Sequence, residues 1–268
     1  MTSTTSKLSL GSLLNGKFLR TATYYLVFIA MGMWVAILGP TLPDLAINIG
    51  ADLSKLSFLF TARSFGFLVG AYFAGFLFDK IKGHPIIALF LLFSAAAIFY
   101  VPFTTALALL VIVVLVLGVS ESVIDVGANT LLVWTYKDKV GSYMNGLHLC
   151  FGIGGFLAPV LLAKVLEISG EFSWAYWLML PFIIGIAVLV FVIPSPTIEK
   201  AVSKSSQNGI NWALVGSIIV FYFLWVGAES GFAGWVYAYA LKSGLADKET
   251  AAYLTSAFWG AFTIARFI

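Results

Sequence analysis

Glu121, Asp125 and Asn129 fall at i, i+4 and i+8 inside a long apolar run, and Asn145 and His148 stand in the next one. Arg63 interrupts an earlier apolar run. Glu229 interrupts a later one, followed by Gly231, Gly234 and Trp235. A charged side chain at the centre of a membrane helix costs roughly 2.5 to 3.5 kcal/mol, so such groups persist where they face a bundle interior or a water-filled cavity. Carboxylates there can take up a proton or a small cation, and amides and an imidazole can hydrogen-bond a polar solute. Mid-helix glycines such as those after Glu229 can be unwound around a site. Trp225 and Trp235 offer ring faces on which a sugar could stack, or else face lipid like other span aromatics. His148 titrates near neutrality, so it reads either as a pH-sensitive gate or as a neutral hydrogen-bonding group.

The elements that must carry these residues are transmembrane helices. The chain is 61% hydrophobic and only 10% charged, against about 25% charged in an ordinary soluble domain. Its mean hydropathy is +1.01. A net charge of +3, with the basic residues scattered between apolar runs, excludes a nucleic-acid partner. The one cysteine, Cys150, lies within a run, so there is no disulfide framework. No cofactor motif is present. The expected class is an all-α polytopic membrane protein.

Spanning takes about 20 apolar residues. Eight segments qualify, at about 21–43, 55–78, 84–103, 106–134, 143–166, 174–193, 211–241 and 250–268. Pro40 and Pro43 are read as closing the first. With the N-terminus cytoplasmic, the inner loops hold Lys7, Lys17, Arg20, Lys80, Lys82, Lys137, Lys139, Lys200 and Lys204. The outer loops hold Lys55, Lys164, Lys242 and Lys248. Nine against four orients the chain N-terminus inside. The polar stretch from Ser195 to Gly209 splits it into a tail (1–20), six helices (21–193), a cytoplasmic linker (194–210) and the start of a second set (211–268). The last segment stops at Arg266-Phe267-Ile268 without a polar flank, so a longer protein with further spans is expected.

Steps of four drift about 40° on a 3.6-residue helix, so Glu121, Asp125 and Asn129 share one stripe. Glu121 lies thirteen residues from the inner end at Trp134, and Arg63 fifteen from the inner end at Phe78. At 1.5 Å per residue the two differ in depth by only about 3 Å, which allows an Arg63–Glu121 pair; the alternative partner for Arg63 is Glu229. Asn145 and His148 share a face with Gly152, Gly155 and Pro159. Those glycines serve either close helix packing or gating.

The second segment ends GFLFDKIKGH, from Gly75 to His84. It resembles the G-x-L-x-D-R-x-G-R-R loop signature of the major facilitator superfamily. Gly75, Leu77 and Asp79 match, Lys80 replaces the arginine, and Lys82 and His84 stand for the basic pair. The resemblance implies a gating loop of Gly75, Asp79 and Lys80 that helps to lock the two halves. GANTLLVW with YMNGLHLCFGIGGFLAP, and YFLWVGAESGFAGWVYAYA, are similar to the fucose/glucose–galactose permease branch, which includes sodium-dependent glucose transporter-like proteins. That implies Asp125, Asn129 and His148 in sugar contact or ion coupling. Two departures stand out: the first helix, AMGMWVAILGP, carries no charge, and His148 occupies a position that is usually an amide.

The expectation is therefore the major facilitator fold, with a complete N-terminal six-helix bundle and helices seven and eight of a second. It would act as a monomeric, multi-pass secondary transporter of the cell membrane, moving a sugar or similar small polar solute by alternating access with a proton or sodium ion. Asp125, Asn129, Asn145 and His148 would line one wall and Glu229 and Trp235 the other. Asp125, Glu121 and Arg63 would serve coupling and ion pairing. An exporter of the same fold and a non-transporting sensor are the other readings. An enzyme is disfavoured, since there is neither an H-E-x-x-H motif nor a Ser–His–Asp pattern.

Overall fold

The computed structural model describes residues 16–196 and 211–267. Eight α-helices follow one another: α1 (Lys17–Ile49), α2 (Phe58–Lys80), α3 (Gly83–Tyr100), α4 (Leu107–Tyr136), α5 (Gly141–Ser169), α6 (Ser173–Val192), α7 (Trp212–Lys242) and α8 (Lys248–Ile264). Short 3-10 turns at Lys55–Ser57, Val101–Phe103, Lys137–Lys139 and Ala265–Phe267 abut α2, α3, α4 and α8. The architecture is that of an all-α, multi-pass membrane protein. Seven helices among the described residues are long and apolar enough to span a bilayer. The exception is α8: its 17 residues reach about 25 Å, short of the roughly 30 Å hydrocarbon core. Of the expected linker, residues 197–210 lie outside the described residues, as do residues 1–15 of the expected tail.

The first helix departs from expectation. Pro40 and Pro43 do not end it; α1 passes through both and stops only at Gly50, whose φ of 62° is left-handed. A proline removes one backbone donor and leaves a carbonyl a turn earlier without its partner. Membrane helices tolerate this where neighbouring groups and helices support the interrupted turn. The carbonyls freed here are those of Ala36 and Gly39. Between the prolines, the Thr41 hydroxyl lies 2.9 and 3.1 Å from the Ile37 and Leu38 carbonyls of its own helix, and 2.7 Å from the Tyr176 hydroxyl, which ties this stretch to α6.

Within the first six helices, α1 packs chiefly on α5 and α2 on α4, while α3 bridges α4 and α6. Without a hydrophobic driving force between helices in lipid, small residues set how closely backbones approach. A Cβ at Gly32 would strike the Phe151 carbonyl, and one at Gly154 the Ile29 carbonyl, so α1 and α5 meet backbone to backbone. Gly66 against Leu115 and Gly118 against Arg63 do the same for α2 and α4. Of the glycines on α5, Gly152 meets Thr263 and Gly155 meets the Trp259 ring, so both pack α5 against α8. The last two helices join the first six through α5–α8 and α1–α7. Large side chains left outside, such as Phe65, Leu68, Tyr72, Phe73 and Phe76 on α2, suit a lipid-facing surface.

Candidate functional site

Arg63 is fixed by the glycine contacts between α2 and α4, since its own carbonyl rests on Gly118. Its side chain meets Glu121 in a two-pronged pair: Nε donates to Oε2 at 2.9 Å and Nη2 to Oε1 at 2.8 Å. Glu121 is buried and Arg63 mostly so, with side-chain exposures of 9% and 20%. A bidentate pair of this kind satisfies both charges where water is scarce. Of the two partners open to Arg63 from sequence, the geometry joins it to Glu121.

The pair opens on a cavity of about 320 Å³ between the first six helices and the last two. This is the size of a small-molecule site, roughly 300 to 1,000 Å³. Helix α2 supplies Phe60, Arg63, Ser64 and Phe67, and α7 supplies Val226, Glu229, Ser230, Ala233 and Gly234. Glu121 comes from α4, Phe151 from α5 and Trp259 from α8, while α1 gives Val35, Ala36 and Gly39. The wall is largely apolar, with a few converging polar groups. Glu229 lies within electrostatic reach of Arg63 and of Arg266, and beside Trp225. The cavity lining therefore holds two carboxylates and one guanidinium.

The other residues singled out in the sequence are arranged differently. Asp125 and Asn129 are half-buried on α4, and the Asn129 amide donates to the Asp125 carbonyl at 2.8 Å and to its Oδ1 at 3.1 Å. The amide is thus spent on its own helix, and neither residue lines the cavity. His148 is half-buried with its ring edge-on to Phe28, centroids 5.7 Å apart, and Asn145 is exposed. No hydrogen bond among the described residues joins either one to Asp125 or Asn129. Trp235 leans on Phe60, 5.8 Å between centroids, behind the cavity wall, and Trp225 is exposed on α7.

The loop motif also takes a particular form. Gly75, Asp79 and Lys80 occupy the exposed last turns of α2. His84, read as one of the loop's basic residues, is only 1% exposed. Its Nε2 lies 2.7 Å from the Tyr24 hydroxyl and its Nδ1 2.6 Å from the Ile193 carbonyl, while its backbone N–H donates to Ser195 Oγ at 2.8 Å. It therefore pins the start of α3 to α1 and to the end of α6. No cluster of three or more His, Cys, Asp and Glu side chains suited to a metal occurs among the described residues. The oxygens open to a monovalent cation in the cavity are those of Glu229, Ser230 and Ser64.

Sequence reasoning missed Ser64, Ser230, Phe151 and Trp259. The two serines directly follow Arg63 and Glu229, and that adjacency was a usable signal. For Trp259 the signal was weaker: it depends on α8 crossing α5 at Gly155, which no spacing within α8 reveals.

The sequence profile of the Major Facilitator Superfamily matches residues 24–268. The chain is 31% identical to sodium-dependent glucose transporter 1A of Mus musculus, over 90% of this chain and 66% of that protein. It is 30% identical to sodium-dependent glucose transporter 1 of Xenopus laevis, over 87% of this chain and 54% of the relative. For the Homo sapiens protein of that name the figures are 28%, 89% and 54%. The chain thus spans between about half and two-thirds of the length of these curated relatives.

Proposed function

The chain belongs to the Major Facilitator Superfamily, and from that premise we propose that it moves a monosaccharide or similar polyhydroxyl solute across the cell membrane by alternating access, coupled to a cation. The observation that carries this reading is the cavity between the two helix sets, with the Arg63–Glu121 pair on one wall and Glu229 on the other. A sugar presents polar rims and apolar ring faces. Glu229, Ser230 and Ser64 suit the hydroxyls, and the rings of Phe67, Phe151 and Trp259 in the lining suit the apolar ring faces.

Charge balance supports the coupling. Within the lining, Arg63 is paired with Glu121, while Glu229 makes no salt bridge among the described residues, with Arg266 at electrostatic reach only. A carboxylate without a direct ion-pair partner in a largely apolar cavity favours uptake of a cation with the neutral solute. The relatives bear the words sodium-dependent and glucose in their names, so sodium and D-glucose are the first pair to test. Asp125, one turn further along α4, is the second candidate for coupling. Helices 21–193 would move against the set beginning at 211, about the linker at 194–210. The N-terminus would be cytoplasmic and the working unit a monomer.

The test is thermal stability in detergent across a sugar panel, with sodium or with choline. The proposal expects one class of monosaccharide to raise the melting temperature more in sodium. A panel without any shift in either salt would remove the sugar reading.

A further inference from the structure

From the cavity wall toward the end of the bundle away from the N-terminus of α1, three contacts join the two helix sets. The lowest is a backbone contact. A Cβ at Gly39 would stand 2.8 Å from the Gly234 carbonyl oxygen and 2.9 Å from that of Ala233, so α1 and α7 touch without side chains between them. The Phe60 ring fills the notch at Gly234, where a Cβ would lie 2.6 Å from its Cζ. Next comes Tyr237, fully buried, among the small residues Ala240, Ala251 and Ala252 of α7 and α8 and Ala163 of α5. The uppermost is ionic: Lys248 Nζ donates to Asp44 Oδ1 at 2.6 Å.

The ionic contact has an unusual setting. Asp44 sits on α1 just beyond the two prolines, and Lys248 is the first residue of α8. The Asp44 side chain is 12% exposed, while that of Lys248 is 49% exposed. The second carboxylate oxygen, Oδ2, and the Tyr237 hydroxyl are both buried without a hydrogen-bond partner among the described residues. They are near enough to interact electrostatically.

We propose that Asp44 and Lys248 form a latch between the two helix sets, which must part before the cavity opens at this end. A contact made in only one of two conformations shifts their populations by its own differential energy. The half-exposed ammonium lets water re-enter as the pair separates, so both charges are rehydrated and the contact can break and re-form. Beneath it, Tyr237 is the one large buried side chain in a layer that is otherwise alanine, so few interlocked side chains oppose parting there. The latch rests on the alternating-access part of the transport reading but works whichever solute or ion the cavity takes, so a failed sugar or sodium test leaves it standing.

The test places a single cysteine at Ala36, which lines the cavity and is buried, in a Cys150→Ser background. Protein in liposomes is labelled by a membrane-impermeant maleimide from the Asp44 side. Lys248→Met and Asp44→Asn should each speed labelling about fivefold, the order expected when a partly exposed ion pair is removed from one of two states. The exchanged pair Asp44→Lys with Lys248→Asp should return the rate to that of the unmodified pair. A cysteine at Ser142, near the opposite end of α5, reports whether each variant is folded, since its labelling from that side should not change. Ala36 rates in both single variants no faster than in the protein with the Asp44–Lys248 pair intact, or an exchanged pair labelled as fast as the singles, would overturn the latch.

Discussion

Arg63 and Glu121 meet at one depth across α2 and α4, held by two hydrogen bonds of 2.9 and 2.8 Å, while the second carboxylate of the cavity, Glu229, faces them from α7. Breaking a buried pair by removing one partner costs about 3 to 5 kcal/mol, because the other charge is stranded. Arg63→Ala and Glu121→Gln should each lower the melting temperature in detergent. The double variant should recover part of that loss. A double variant whose loss equals the sum of the two singles would mean that the pair is not energetically coupled.

The glycine contacts predict a contrast along α2. Gly66→Ala must push a methyl group into the Leu115 carbonyl region of α4, and overpacking of that kind costs about 1 to 3 kcal/mol. Gly75→Ala meets nothing within 4 Å and should be neutral, or stabilising by about 0.5 to 1 kcal/mol, as in other helix interiors. Melting curves of the two variants decide it. Should Gly75→Ala keep its stability yet lose transport, the loop motif would have a role in motion rather than in packing.

His84→Ala leaves the Tyr24 hydroxyl and the Ile193 carbonyl buried without their partner, at about 1 to 3 kcal/mol for each group. His84→Gln, which keeps a hydrogen-bonding head, should recover part of the loss. Equal melting temperatures for the alanine variant and the parent would show that the staple contributes nothing.

Asp247 caps α8 next to Lys248, accepting from the Thr250 N–H at 2.8 Å. Its hydrogen bonds to Thr250 hold the carboxyl below the usual aspartate range. A carboxyl lowered on folding stabilises the fold in full above its unfolded value, about pH 4, and the gain disappears as pH falls through the lowered value. The cap should therefore be intact at pH 5 to 8. Asp247→Ala should fray the first turn of α8 throughout that range, seen as faster amide exchange at Thr250. Unchanged exchange there would show that the cap is dispensable.

Helix number, order and approximate ends were legible because span length is set by the bilayer and apolar runs record it. So was the depth match of Arg63 with Glu121, since a helix rises by a fixed 1.5 Å per residue. What could not be read was azimuth. In a helix that is apolar all round, no polar face tells which side meets a neighbour. Trp235 therefore reads as cavity wall and Trp259 is missed, since only the crossing of α8 over α5 at Gly155 shows which ring faces inward. Asp125 and Asn129 share the Glu121 stripe, yet the 40° drift per four residues and the local Asn129–Asp125 bond turn them out of the cavity. Pro40 and Pro43 looked like a helix end because proline interrupts the backbone ladder, whereas the packing that carries α1 past them, such as the Thr41–Tyr176 contact with α6, exists only in the folded bundle. His84 looked like a surface base because its partners lie 60 and 109 residues away. Asp44 and Lys248 were findable: one lies in the last two turns of α1 and the other opens α8, toward the same side of the membrane and with opposite charge.

The central claim is that the cavity on Glu229 takes a sugar together with a cation. The most direct measurement is the thermal shift produced by D-glucose in sodium and in choline, on the parent protein, Glu229→Gln and Asp125→Asn. The account predicts a sodium-dependent shift in the parent, its loss in Glu229→Gln, and its retention in Asp125→Asn. A sodium-dependent glucose shift that survives intact in Glu229→Gln would contradict it.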